Sequence, residues 1–148
     1  MKLVVFCIFA VCCSSLANSS TNQSNRQVLR KLREVLNQLD DVKATLQHNE
    51  QKLNTPPQNI GDCCCLSALQ CFRANLQVQF NVTERKQTNK LYRSLKSSIT
   101  ERGLDFCNSG NVQSTCQDCD LHPKENVEEF FNRLKSFIQK AITRLSMD

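Results

Sequence analysis

Apolar residues recur along this chain with the period of a helix rather than the alternation of a strand. Val28, Leu32, Val35, Leu39, Val42 and Leu46 follow one another at spacings of four and three, and Leu29 and Leu36 widen the stripe. A stripe this broad is the buried face of a bundle helix, with charges on the other side. It predicts a first helix over about 26–50, with Ser24 or Asn25 able to cap its start. Pro56-Pro57 ends any extension, because a proline pushes the residue before it out of helical geometry. Residues 54–62 read as a connector. A second helix begins near Cys64 and carries Leu66, Leu69, Phe72, Leu76 and Phe80. A third keeps Leu91, Tyr92, Leu95 and Ile99 in helical spacing between Thr83 and Glu101, with Gly103 as a stop. The stretch 103–122 has no period and holds Cys107, Cys116 and Cys119, so it reads as a long crossover loop pinned by disulfides.

The last helix has the clearest pattern. Val127, Phe130, Phe131, Leu134, Phe137, Ile138, Ala141, Ile142 and Leu145 form one apolar face. Pro123 suits a first helical turn. Glu125, Glu128 and Glu129 at the start, and Lys140 and Arg144 at the end, complement the helix dipole. The links between the first and second helices and between the third and fourth are long, while the middle link is short. Short links join antiparallel neighbours and long ones let helices run parallel. The expected fold is therefore all-α, an up-up-down-down four-helix bundle with a disulfide-stapled crossover loop. At 148 residues the chain is long enough for one domain. Three Gly and three Pro are too few for a many-stranded sandwich.

The amino-terminus differs in character from the rest of the chain. Lys2 is the only charge before Arg26, and Leu3 to Cys13 is an apolar run of 11 residues. That is the length of a signal-peptide core and too short to span a bilayer. Ser15-Leu16-Ala17 places cleavage after Ala17, giving a signal peptide at 1–17 and a secreted, extracellular domain at 18–148. The remainder has 18 basic and 14 acidic residues, a net charge of +4. That suits an anionic partner surface but falls short of a nucleic-acid binder's basic stripe. Asn18, Asn22 and Asn81 begin Asn-x-Ser/Thr sequons and are candidate glycan sites.

Of ten cysteines, Cys7, Cys12 and Cys13 leave with the signal. The seven that remain should form bridges in an oxidising compartment, with one thiol over. Cys116-x-x-Cys119 also invites a zinc or redox reading. Zinc would need further ligands from Cys63–Cys65, and a redox pair would need a strand–helix setting that the flanking residues lack. Secretion favours plain disulfides. Catalysis has little to stand on. The Cys63-Cys64-Cys65 run has a superficial likeness to a secreted phospholipase, but its helix has no histidine. His48 and His122 are the only histidines, one expected on the first helix and one at the cap of the last. Neither sits in an evident nucleophile motif. No enzyme activity and no cofactor is expected. A membrane-active helical defence peptide is the rival of another class. The mixed charges speak against it, as do apolar faces wide enough to satisfy one another.

Cys64-x6-Cys71-Phe72, Thr115-Cys116-Gln117-Asp118-Cys119-Asp120 and the segment from Glu129-Phe130-Phe131 through Phe137-Ile138-Gln139-Lys140 carry a resemblance. They resemble the second helix, the double cysteine and the last helix of the short-chain cytokines of the interleukin-2, interleukin-15 and interleukin-21 group. The last helix, and Asn37-Gln38-Leu39 in the first, look most like the interleukin-21 branch. Gly110-Asn111-Val112 looks somewhat like the interleukin-15 branch, which keeps an interleukin-15- or interleukin-2-like cytokine as the near alternative. The resemblance covers about half the chain. It implies bridges Cys64–Cys116 and Cys71–Cys119. The seven-residue spacing is compatible, since both cysteines then stand on one side of a helix. Cys63, Cys65 and Cys107 depart from the family pattern. A third bridge from Cys107 to Cys63 or Cys65 would leave one thiol.

The resemblance also implies a monomer that joins two receptor chains on opposite sides of the bundle to regulate lymphocyte responses. One is a private class I cytokine receptor and the other is the shared common gamma chain. No nucleic acid and no membrane insertion is implied. The common gamma contact would lie at Gln139, flanked by Lys135 and Ile142, with Gln139 partly screened between Ile138 and Ala141. The private contact would lie on a basic surface of the first and third helices, at Arg30, Lys31, Glu34, Arg93 and Lys96.

Overall fold

The computed structural model describes residues 2–46, 50–80, 85–107 and 115–147, and for residues 2–22 the backbone alone. In chain order its elements are α1 (Lys2–Thr45), β1 (Lys52–Asn54), a 3-10 turn (Asp62–Cys64), α2 (Cys65–Gln79), α3 (Lys86–Lys96), α4 (Ser98–Leu104), a second 3-10 turn (Cys119–Leu121), β2 (Lys124–Asn126) and α5 (Val127–Met147). The chain is mostly helical, and no helix among the described residues is long and apolar enough to cross a membrane.

The apolar stripes meet in one core. Val28, Leu32, Val35, Leu39 and Val42 of α1 are buried against Phe130, Phe131, Leu134 and Ile138 of α5 and against Leu91, Leu95 and Leu104. Helix α2 adds Leu69, Phe72 and Leu76. Phe72 meets Phe130 edge-on at 5.4 Å between ring centroids, and Phe80 meets Phe131 likewise at 5.6 Å. The edge of one ring thus faces the electron-rich face of the next.

Helix α1 is one continuous element, so Ser24 and Asn25 lie inside it and cap nothing. It ends at Thr45, earlier than the stripe suggests, where the Thr45 hydroxyl donates to the Val42 carbonyl.

The expected third helix is two. Ser97 is extended (φ −61°, ψ 138°), and its Oγ accepts from the Ile99 amide to cap α4. Thr100 Oγ1 donates to the Ser94 carbonyl at 2.6 Å, and Arg73 Nη1 donates to the Leu95 carbonyl at 3.4 Å, so two carbonyls beside the break find donors. Arg73 also pairs with Glu101 at 2.7 Å, tying α2 to α4. Serines compete with the helix for backbone groups, which is why Ser97-Ser98 is where it breaks.

Gly103 is no left-handed stop, since its φ is not positive. It is buried within α4, where a Cβ would stand 2.6 Å from Val28 Cγ1 and 3.3 Å from Leu32 Cδ1. Its lack of a side chain lets α4 lie close on α1.

The start of the last helix also differs from expectation. Residues 124–126 pair antiparallel with 52–54, Leu53 opposite Glu125. Pro123 and Glu125 therefore precede α5 rather than open it. Asn126 Oδ1 accepts the Glu129 amide at 2.8 Å and caps the helix. The connector between α1 and α2 is thus partly strand, and the Pro123 carbonyl accepts from the Thr55 amide.

Among the described residues, three disulfides join the stretch before and within α2 to the stretch before α5: Cys63–Cys107, Cys64–Cys116 and Cys71–Cys119. The two bridges that the family resemblance implies are both present. Cys107 takes Cys63, which leaves Cys65, of the seven cysteines after residue 17, as a buried free thiol.

Candidate functional site

The two surfaces of interest are set by the helices that carry them. On α1 the core stripe faces inward, so residues two positions away face solvent. Arg26, Leu29, Arg30, Arg33, Glu34 and Asn37 line a shallow groove of about 530 Å³ there. Arg26, Arg30 and Arg33 are exposed. Glu34 is the one acid in the groove, and it is engaged by Lys31 at 3.4 Å and Gln38 at 3.2 Å. The groove is therefore strongly positive. It brings Arg30 and Glu34 together, with Lys31 at its edge, and adds Arg26 and Arg33. The four-and-three spacing of 26, 30 and 33 was the available signal for those two. Arg93 and Lys96 are exposed on α3, which packs beside α1.

On α5, Lys135, Gln139 and Ile142 share one face, again at spacings of four and three. Lys135 pairs with Asp40 of α1 at 3.0 Å. Lys43 donates to Asn132 at 2.6 Å, so polar links stitch α1 to α5 along this edge. Ile142 is half-buried against the core. Gln139 is exposed rather than partly screened, because Ile138 and Ala141 turn wholly into the core. The patch is a small apolar centre with a neutral amide and an ion pair around it. No protein-family model matches the chain.

The cysteine motif has no open chemistry, since Cys116 and Cys119 are each consumed in a disulfide. Cys65 lies beneath a clamp in which Arg144 grips Asp62 through two hydrogen bonds, at 2.7 and 3.0 Å. The guanidinium also lies over Phe106, 4.2 Å from the ring centroid. That bidentate hydrogen bond holds the Asp62 carboxyl below its usual range. Burial pushes the Cys65 thiol up, which keeps it protonated and unreactive.

His122 is buried with Nδ1 unpartnered, and burial pushes its imidazole below its ordinary value. It precedes the helix by a strand rather than capping it. Asn18 and Asn22 lie on α1 where only the backbone is described, and Asn81, His48 and Gly110-Asn111-Val112 fall outside the described residues.

Proposed function

We propose that this chain is a secreted, interleukin-21-like cytokine that bridges a private class I cytokine receptor and the common gamma chain on lymphocytes. In this reading α1, α2, the broken pair α3–α4, and α5 are the four helices of an up-up-down-down bundle. Residues 1–17 are removed as a signal peptide, and Asn18, Asn22 or Asn81 carries glycan.

The observation that carries the reading is the pairing of Cys64 with Cys116 and Cys71 with Cys119. That is the family's double staple between its second helix and the loop before its last. The two candidate faces support it by their contrast. The groove around Arg30 is rich in guanidinium groups, which pair bidentately with receptor carboxylates. The face around Gln139 is nearly neutral, which suits a contact driven by packing.

The test uses purified secreted protein and immobilised receptor ectodomains. Gln139→Asp places a charge in a contact that desolvates it. Losses of about 2 kcal/mol or more are common at central interface positions. Common gamma recruitment should fall while private-receptor binding holds, giving an antagonist. Arg30→Glu should weaken private-receptor binding and flatten its salt dependence. Both should keep full helicity, since both side chains are exposed. Normal signalling by Gln139→Asp on receptor-bearing lymphocytes would overturn the assignment. Leakage of liposomes by the parent protein would favour a membrane-active peptide instead.

A further inference from the structure

Helix α3 stands apart in its charge. Its eleven residues include Lys86, Lys90, Arg93 and Lys96 and no acid, and all four are exposed. Arg85, immediately before it, is exposed as well. Among the described residues no carboxylate pairs with any of these five. Five cations on other elements do pair with acids: Lys31 with Glu34, Arg73 with Glu101, Arg133 with Glu125 and Glu129, Lys135 with Asp40, and Arg144 with Asp62. The arginines of the α1 groove share that helix with Glu34, whereas α3 carries no acid at all.

The geometry makes a line of these charges. Positions 86, 90 and 93 fall on one helical stripe roughly 10 Å long. Thr88, Leu91 and Leu95 are buried on the opposite side, which fixes the stripe outward. At its amino-terminal end Arg85, Lys86, Gln87 and Thr88 line a recess of about 340 Å³ with Thr45 of α1. That space could hold an anionic group beside two cations and the start of a helix, where backbone N–H groups point outward.

The side chains between the charges narrow the partner. Lysine is depleted at the centre of protein interfaces, where aromatic residues and arginine are enriched. Gln87 and Asn89 stand between Lys86 and Lys90, Leu91 and Leu95 face the core, and the half-buried Tyr92 turns to α2, where its hydroxyl donates to Gln77 at 3.2 Å. A lipid surface would need an exposed apolar face to insert, and α3 has already buried its own. What remains is a flexible polyanion read by charge and spacing.

We infer that the α3 stripe binds a linear sulfated polysaccharide, with Lys86, Lys90 and Arg93 along the chain and Arg85 at the recess. This goes beyond the receptor reading. Arg93 serves both, so polysaccharide and private receptor compete for this end of the molecule.

The experiment is binding of the intact disulfide-bonded protein to heparin as a function of salt, with a sulfopropyl cation exchanger as the control for net charge. Lys86→Gln/Lys90→Gln is compared with Arg26→Gln/Arg33→Gln, which removes the same charge from α1. The lysine pair should weaken heparin binding by roughly tenfold or more at physiological salt. It should lower the log–log salt slope by about two, one per lost contact. The arginine pair should change heparin binding little, and both variants should shift equally on the exchanger. Equal loss of heparin binding in the two variants would overturn the proposal, since net charge alone would then explain retention. So would a parent protein that leaves heparin at the same salt as the exchanger. If the lysine pair binds heparin normally but loses the private receptor, the stripe belongs to the receptor and the polysaccharide reading fails. Failure with heparin leaves the Arg30→Glu receptor test untouched.

Discussion

Gly103→Ala adds one methyl group where α4 lies close on α1. The new Cβ would lie 2.6 Å from Val28 Cγ1 and 3.3 Å from Leu32 Cδ1. Val28 is β-branched and helical, so one rotamer dominates and it cannot easily swing its methyl aside. Leu32 is fully buried and equally confined. Overpacking of this kind costs about 1–3 kcal/mol. Against it stands a helix-propensity gain of at most about 1 kcal/mol from replacing glycine. The net expectation is destabilisation of roughly 1–2 kcal/mol, read as a lower urea midpoint at unchanged slope. The decisive comparison is the same substitution in a Val28→Ala background. There the obstructing methyl is gone and only the propensity gain remains, so Gly103→Ala should become neutral or stabilising. Contacting residues couple by 0.5–3 kcal/mol in such cycles. An equal effect of Gly103→Ala in both backgrounds would refute the claim that glycine is there for close approach.

Further expectations concern the staples, the cap and pH. Replacing Cys71 and Cys119 together by serine should cost roughly 3 kcal/mol and not the 4 of a lone long loop, because Cys64–Cys116 already closes most of the same loop; urea unfolding of the oxidised protein measures it. Asn126→Ala should cost about 1 kcal/mol by orphaning the Glu129 amide, with fraying of the first turn of α5 visible in hydrogen exchange. His122 has a depressed folded pKa, so its contribution is full above about pH 6.5. It is lost as pH falls and the unfolded state takes up the proton first. His122→Phe should flatten this part of the stability profile, and an unchanged pH slope in the variant would show that another group titrates there.

The long-range skeleton was legible because it rests on periodicity. The stripe from Val28 to Val42 and the face from Val127 to Ala141 are buried as their spacing requires. The details that escaped depend on contacts between distant residues. Nothing local marks Lys52–Asn54 and Lys124–Asn126 as partners, since each strand is three residues long and exists through the other. Gly103 looked like a helix stop because a glycine after a periodic run usually is one. Only the closeness of Val28 shows otherwise. Ser97-Ser98 was a readable warning of the break, outweighed by Leu95 and Ile99 keeping helical spacing across it. On the candidate faces, residue types were legible but exposure at the level of one side chain was not. Gln139 stands between the core residues Ile138 and Ala141 in sequence and still points to solvent.

All three bridges join residues 63–71 to residues 107–119, so α1 and α5 lie on free tails outside the covalent loops. Yet these two helices share the molecule's principal packing. Along the backbone about 80 residues separate the end of α1 from the start of α5. Through Cys64–Cys116 the route shrinks to about 30. Loop-closure entropy grows as the logarithm of length, so this shortcut is worth about 0.9 kcal/mol, or roughly a fourfold gain in the encounter of the two tails. The sulfur bonds thus make a distant pair of helices near neighbours before either has folded. A chain whose cysteines are reduced must find that pairing across the full contour, and its folding slows at the docking of α1 on α5.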